Sequence, residues 1–214
     1  MKTKAILKEA IIWMLIAVPF VYYAILYKDL PSQIPIHFDV HGNPDNFASK
    51  SGYWWILASS IIGVYLLMLA IPLIDPKKRI SQMGNKYYIL KLLVVGLIAI
   101  INVFSIYAAA NPGINLKMFI LVILGVVFLL LGNYMPAFKP NYFIGIRTPW
   151  TLESEEIWRK THRMGGWIWS ITGILTIILA LTNIHPIIVF GMIMLAAFIP
   201  VIYSFVLYLK RKDQ

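Results

Sequence analysis

The sequence predicts an all-α integral membrane protein with six transmembrane helices, and three observations lead there. Of 214 residues, 60% are hydrophobic and only 13% charged, with a mean hydropathy of +0.76. Six apolar segments, about 9–27, 53–74, 87–110, 116–134, 166–183 and 187–209, each have roughly the length that crosses a hydrocarbon core about 30 Å thick. The Lys and Arg residues fall very unevenly between alternate loops.

The first segment follows three lysines and resembles a secretory signal, but Tyr27, Lys28, Asp29 and Leu30 come after it in place of a small-residue cleavage site. It therefore reads as an uncleaved first helix. Asp75-Pro76 with a basic cluster separates the second and third segments. Asn111-Pro112-Gly113 and Asn183-Ile184-His185-Pro186 make tight hairpins. Pro19, Pro72 and Pro200 lie within or near the ends of apolar segments, where each removes one backbone hydrogen bond and favours a bend. Tyr and Trp gather where segments meet loops, as headgroup-level rings do. One six-helix domain over 1–214 is expected, with an extracellular loop module at 28–52 and a cytoplasmic loop at 135–165.

Orientation comes from counting positive charge. One set of loops and termini holds Lys2, Lys4, Lys8, Lys77, Lys78, Arg79, Lys86, Lys139, Arg147, Arg159, Lys160, Arg163, Lys210, Arg211 and Lys212, fifteen in all. The other holds only Lys28, Lys50 and Lys117, a split that predicts a multi-pass membrane protein with both termini cytoplasmic. Short basic clusters beside apolar segments suit anionic lipid rather than nucleic acid, despite the net charge of +10. With no cysteine there is no disulfide, thiolate nucleophile or cysteine metal site. Lys91, inside the third segment about a turn from its cytoplasmic end, is expected to snorkel to the headgroups, with a buried partner such as Asn102 or Asn133 as the alternative.

The exterior loop reads KDLPSQIPIHFDVHGNPDNFASKSG. His37, Asp39 and His41 alternate with Ile36, Phe38 and Val40, so a strand would place the three polar groups on one face before a turn at Gly42-Asn43-Pro44-Asp45. One reading is ligand capture, with Phe38 and Phe47 as aromatic anchors and His37, Asp39, His41, Asp45 and Lys50 as polar contacts; the other is a cap that only closes the bundle. Two imidazoles around a carboxylate also suit a divalent metal, although the spacing matches no recognised zinc signature and loop-shaping hydrogen bonds account for the same pattern. No nucleophile stands near the trio and no HExxH helix occurs, so no catalytic residues are assigned.

The longest polar stretch of the cytoplasmic side, Asn141 to Gly166, reads NYFIGIRTPWTLESEEIWRKTHRMGG. Pro149 keeps Thr148 extended, Thr148 or Thr151 caps the helix that follows, and Glu153, Glu155 and Glu156 suit its start. Arg159, Lys160 and Arg163 suit its other end, and Glu155 with Arg159 and Glu156 with Lys160 have the i,i+4 spacing of ion pairs. Leu152, Trp150 and Trp158 are left for the membrane surface or the bundle floor.

Two stretches together resemble known bacterial modules. Pro35, His37, Gly42, Asp45, Ser49 and Lys50 match the Pro-x-His, Gly-x-x-Asp, Ser-Lys hallmark of a membrane module of otherwise unknown function. Gly-Asn at 132–133, Lys-x-Asn at 139–141, Ile-Gly-Ile-Arg-Thr-Pro-Trp-Thr-Leu at 144–152 and the following Trp158 and Arg163 resemble the signature of the SdpI family of bacterial immunity proteins. That resemblance implies a multi-span protein that protects a cell from a secreted SdpC-like peptide toxin and that also reports the toxin inward by binding a cytosolic transcriptional repressor. It implies neither a cofactor nor catalysis. On this reading Asn141, Gly145, Arg147, Thr148, Pro149, Trp150, Thr151, Glu156, Trp158 and Arg163 form the cytoplasmic signature surface. Arg147 has an anchoring reading as well, on lipid phosphate or helix-end carbonyls, which we prefer. The competing classes are a small transporter or lipid-handling protein, which would favour inverted repeats and midplane charges, and a membrane metalloenzyme using the outer histidines.

Overall fold

A computed structural model of the protein describes residues 2–39, 41–114, 116–182 and 184–212, with side chains from residue 6 onward. Val40 of the expected strand and Asn183 of the expected last hairpin lie outside the described residues, as do the side chains of Lys2 and Lys4. The element order is α1 (Lys2–Leu26), β1 (Gln33–Phe38), β2 (Pro44–Ser49), α2 (Tyr53–Ile74), α3 (Asn85–Ala110), α4 (Leu116–Tyr134), α5 (Pro149–Glu153), α6 (Glu155–Ala180) and α7 (Pro186–Lys212). All but α5 among the helices are long and apolar enough to cross a membrane, which gives the six spans expected. The long loop between the first two spans holds a two-stranded antiparallel sheet.

The fifth span differs from expectation. α6 begins at Glu155, not near Gly166, because Ser154 ends α5 in extended backbone and its hydroxyl accepts the Ile157 N–H as the cap of a second helix. Ile157, Trp158, Thr161, His162 and Gly165 then keep one helical face buried while Glu155, Glu156, Arg159, Lys160 and Arg163 face outward. Arg159, Lys160 and Arg163 thus lie in the first half of a long helix, and no dipole complement of its C-terminal end arises from them. Glu156 pairs with Lys160 at 2.7 Å as expected, whereas Glu155 pairs with Arg79, also at 2.7 Å, in place of Arg159.

The chain divides into two compact units, residues 1–70 with 87–116 and residues 71–86 with 117–214. The first holds α1, the hairpin, most of α2, and α3. Tyr23, Leu30, Ile34, Tyr53, Leu57 and Ile106 form one apolar cluster under the hairpin, and Ile12, Ile16, Ile61, Tyr65, Val95 and Ala99 form a second along the same helices. Between hydrocarbon side chains sits a polar knot. Asn102 donates to the Ser60 hydroxyl at 3.1 Å and to the Ile98 carbonyl at 2.8 Å, which satisfies an amide that would be costly to bury alone.

Lys91 overturns the snorkelling expectation. It is 5% exposed, and its Nζ lies 2.6 Å from Glu9 Oε1 on α1, while the Tyr65 hydroxyl donates to Glu9 Oε2 at 2.8 Å. The ammonium also lies over the Tyr65 ring at 5.5 Å. A carboxylate on a neighbouring helix reaches the ammonium directly, so the lysine stem has no need to extend to the headgroups. Neither Asn102 nor Asn133 partners it.

In the second unit, α4 and α6 approach so closely that side chains have no room. A Cβ on Gly132 would stand 2.5 Å from the Ser170 nitrogen, and one on Gly173 would stand 2.5 Å from the Gly125 carbonyl oxygen. Before them, Asp75 is 2% exposed and accepts the Ile80 N–H at 3.0 Å, holding the turn after α2.

Candidate functional site

The hairpin between α1 and α2 is set by its turn. Asp39 Oδ1 accepts the backbone N–H groups of His41 and Asn43, each at 2.8 Å, Asp39 Oδ2 accepts the Asn43 amide at 3.2 Å, and Gly42 takes the left-handed φ of +85° that this turn needs. The Asn43 N–H foremost, with its side-chain amide and the His41 N–H, holds the Asp39 carboxyl below the ordinary carboxylate range. β1 pairs with β2 from Gln33 opposite Ser49 to Phe38 opposite Pro44, with irregularities on both sides of His37.

Those irregularities break the period of two on which the expected one-face trio depended. β1 ends at Phe38. His37 Nδ1 meets Asp45 Oδ1 at 2.5 Å, Asp39 holds the turn, and His41 follows it. Among the described residues no three His, Cys, Asp or Glu side chains stand together as a metal site would require. Lys50 is likewise engaged: its Nζ donates to the Leu30 carbonyl at 2.9 Å and lies over the Tyr27 ring, while the Tyr23 hydroxyl donates to the Lys50 carbonyl. It clamps the base of the hairpin.

What the hairpin does enclose is a cavity of about 590 Å³. Pro35, Phe38 and Phe47 supply its hairpin wall, and Ala108, Pro112 and Ile114 its other wall, with the ends of Gln33, His41, Asn43 and Asn111 as polar points. Phe38 rests against Phe104 with ring centroids 6.3 Å apart. The volume and the ratio of apolar wall to polar points suit a small ligand or two or three side chains of a peptide. Of the expected contact residues, Phe38, His41 and Phe47 line this cavity; His37, Asp39, Asp45 and Lys50 do not. The contribution of the turn after α3 was missed, because nothing local in Asn111-Pro112-Gly113 distinguishes a cavity wall from a plain hairpin.

The polar stretch of the second unit is built from inside. Asn141 is fully buried, and its Oδ1 accepts the N–H groups of Phe143 and Ile144 at 2.8 and 2.7 Å while its amide donates to the carbonyls of Lys139 and Ile144. Gly145 has φ +109° and passes against His162, so that a Cβ there would collide with the ring Nε2. Thr148 and Thr151 close a reciprocal capping box at the start of α5.

Trp158 is 2% exposed, donates its indole N–H to the Phe138 carbonyl at 2.8 Å and stacks on His162 with centroids 4.0 Å apart. His162, 1% exposed, accepts the Ile146 N–H at Nε2 and bonds the Trp158 carbonyl through Nδ1, an arrangement that calls for the Nδ1–H tautomer. Sequence reasoning passed over this histidine; its i+4 spacing from Trp158 was the available signal. Trp150 turns toward α7, donating to the Ser204 hydroxyl at 2.6 Å and lying against Phe205 and Tyr208. Arg147 donates to the Tyr142 carbonyl within the loop, which is neither a lipid phosphate nor a helix-end carbonyl. Asn141, Thr148, Thr151 and Trp158 are therefore interior, while Arg147, Pro149, Glu156 and Arg163 remain exposed.

Residues 137–204, from the end of the turn after α4 into α7, match the model of the SdpI/YfhL protein family. Over that segment the chain is similar to the SdpI/YfhL family. Residues 14–61 match a second model, the domain of unknown function DUF1648, which takes in most of α1, the whole hairpin and the start of α2. The chain is also similar to the immunity protein SdpI of Bacillus subtilis strain 168, with 26% identity over 176 residues, 81% of each chain. No solved structure matches it.

The segment similar to that family thus contains the buried Asn141, Trp158 and His162 with Gly145 packed against the imidazole, and the DUF1648 segment contains the Asp39 turn and the hairpin wall of the cavity. The two matches are consecutive in the sequence and do not overlap.

Proposed function

We propose that this chain is an integral membrane immunity protein of a bacterial cell, that both its termini are cytoplasmic, and that it protects the cell against a secreted SdpC-like peptide toxin. The observation that carries the proposal is the likeness to the immunity protein SdpI over 81% of both chains. The charge split between alternate loops supports the orientation. The hairpin cavity supports toxin capture on the outer face, since an amphipathic peptide offers the uncharged side chains that its walls suit. A cytosolic repressor would meet Arg147, Glu156 and Arg163, the charged signature residues left on the surface.

The test is survival of a toxin-sensitive bacterium expressing the chain, with membrane insertion measured in parallel. Protection is expected from the wild type, and its loss from Ala108→Trp, which fills the cavity. No protection by an inserted wild-type chain against any SdpC-like peptide would sink the immunity reading, and full protection by the inserted Trp variant would move the toxin site out of the cavity. One observation favours a second reading, a small transporter: Lys91 and Glu9 form an ion pair within the spans. Ion flux through proteoliposomes containing the chain, abolished by Lys91→Met, would support that alternative.

A further inference from the structure

Within the second unit lies a hollow walled by the signature residue Trp150 and separate from the cavity under the hairpin. α5 carries Trp150 onto the last turns of α7, where the indole stacks on Tyr208 at 5.8 Å and an interplanar angle of 27°. Beside this aromatic wall is a space of about 360 Å³, bordered also by Glu153, Ile157, Arg211 and Lys212. Arg211 and Ile157 separate it from a smaller hollow of about 180 Å³ that Lys210 also borders. The site is amphipathic by construction, with an apolar floor, a flat aromatic side and charged groups at the rim.

The rim charges are available. Among the described residues Glu155 is paired with Arg79, and Glu156 with Lys160, whereas the side chains of Glu153, Arg211 and Lys212 make no hydrogen bond or close ion pair, Arg211 acting on Glu156 only at longer range. Two cations and one carboxylate around one hollow ask for a ligand that carries a phosphate and an amine. Arg211 and Lys212 suit the phosphate, Arg by its planar fork and Lys as a point charge. Glu153 and the Trp150 face suit an ammonium, through a charge pair and a cation–π contact. The hollow lies at the end of a spanning helix, where its basic last turn reaches headgroup depth on whichever side of the membrane it stands.

We propose that this hollow binds the headgroup of a phosphoethanolamine lipid, with Arg211 and Lys212 on the phosphate and Glu153 with Trp150 on the amine. The shared chemistry could also be offered by a free phosphate or a free phosphoamine, and the site's apolar floor at Ile157 selects the lipid.

The test is a lipid titration of the purified, delipidated full chain in detergent, read by native mass spectrometry, with phosphatidylethanolamine, phosphatidylglycerol, phosphatidylcholine, free phosphoethanolamine and inorganic phosphate as separate arms. Phosphatidylethanolamine is expected to bind in preference to the other four. The double variant Arg211→Ala/Lys212→Ala should lose roughly tenfold or more of that affinity, each cation being worth about fivefold at a headgroup. Glu153→Gln should remove the preference for ethanolamine over glycerol while leaving phosphatidylglycerol binding as it was. Lys139→Ala/Arg163→Ala, equal in charge lost but away from the hollow, should change nothing. Wild-type binding by the Arg211/Lys212 variant, an equal loss in the Lys139/Arg163 variant, no preference among the lipids, or equal binding of the soluble phosphates would each overturn the assignment.

Discussion

Replacing Glu9 with Gln removes the only carboxylate that meets Lys91 among the described residues, and the structure sets both the size and the asymmetry of the effect. Lys91 has a side chain 7% exposed, whereas that of Glu9 is 43% exposed. Losing one partner of a fully buried pair costs about 3–5 kcal/mol, and a lone lysine at mid-membrane about 2.5–3.5 kcal/mol on insertion scales. The part-exposed Glu9 and the position of Lys91 near a helix end place Glu9→Gln toward the lower end, about 2–3 kcal/mol. Lys91→Met should cost less than about 1 kcal/mol, because Glu9 can hydrate and still accept from Tyr65.

The double variant should resemble Lys91→Met alone, leaving a coupling energy of about 2 kcal/mol. Thermal unfolding in detergent would read Glu9→Gln as a fall of roughly 4–12 °C, taking the 2–4 °C per kcal/mol of soluble chains of this size. If Glu9→Gln melts with the wild type, or if Lys91→Met is as damaging as Glu9→Gln, the ion pair does not organise α1 and α3 as argued.

Three further outcomes are expected. His162→Ala should cost roughly 3–4 kcal/mol, through the lost stack on Trp158 and the orphaned Ile146 N–H, while His162→Phe keeps the stack and costs about 1–2 kcal/mol; the same unfolding assay ranks them, and equal stability of all three proteins would remove the lock from the account. Since the folded pKa of Asp39 is depressed, its contribution to the turn is complete above the ordinary carboxylate value and disappears as pH falls through the depressed one; hydrogen-exchange protection of the Asn43 N–H should follow that course, and Asp39→Asn should abolish it. Because the chain has no cysteine, Asn111→Cys and Lys210→Cys give single labels, and an impermeant thiol reagent on intact cells should modify the first and not the second; the reverse pattern would invert the proposed orientation.

How much the sequence revealed depended on how local each property is. A span is a matter of length and apolarity, so all six could be read, and Thr148 before Pro149 announced its cap at a distance of three residues. The partner of Lys91 stands 82 positions away on another helix, and no periodicity points to it. The hairpin lies between these cases: alternation identified a strand at Ile36 to Phe38, but register depends on irregularities around His37, and each slip of one residue sends the following side chains to the other face. The late start expected for the fifth span had a related cause. Charged residues at Glu155 to Arg163 lower mean hydropathy without breaking a helix whose other face is buried.

The same geometry bears on what the family signature is for. A motif that served only to touch a partner would keep its distinctive groups on the surface, where few internal bonds compete for them. Here Asn141 uses both ends of its amide on four neighbouring backbone groups, Gly145 leaves room for His162, the threonines cap each other's helix start, and Trp158 is enclosed. Such groups shape a loop that could not otherwise satisfy its backbone. On the proposed function, contact with a partner would fall to the exposed residues set upon that frame, Arg147, Glu156 and Arg163. Charge reversal at Glu156 should therefore alter recruitment of a cytosolic partner without lowering the melting temperature, since its pair with Lys160 is solvent-exposed and screened. Asn141→Ala should lower both together, because it leaves the Phe143 and Ile144 N–H groups without an acceptor. Recruitment lost in both variants with melting unchanged in both would mean that the buried residues act at the surface after all, through a conformation other than this one.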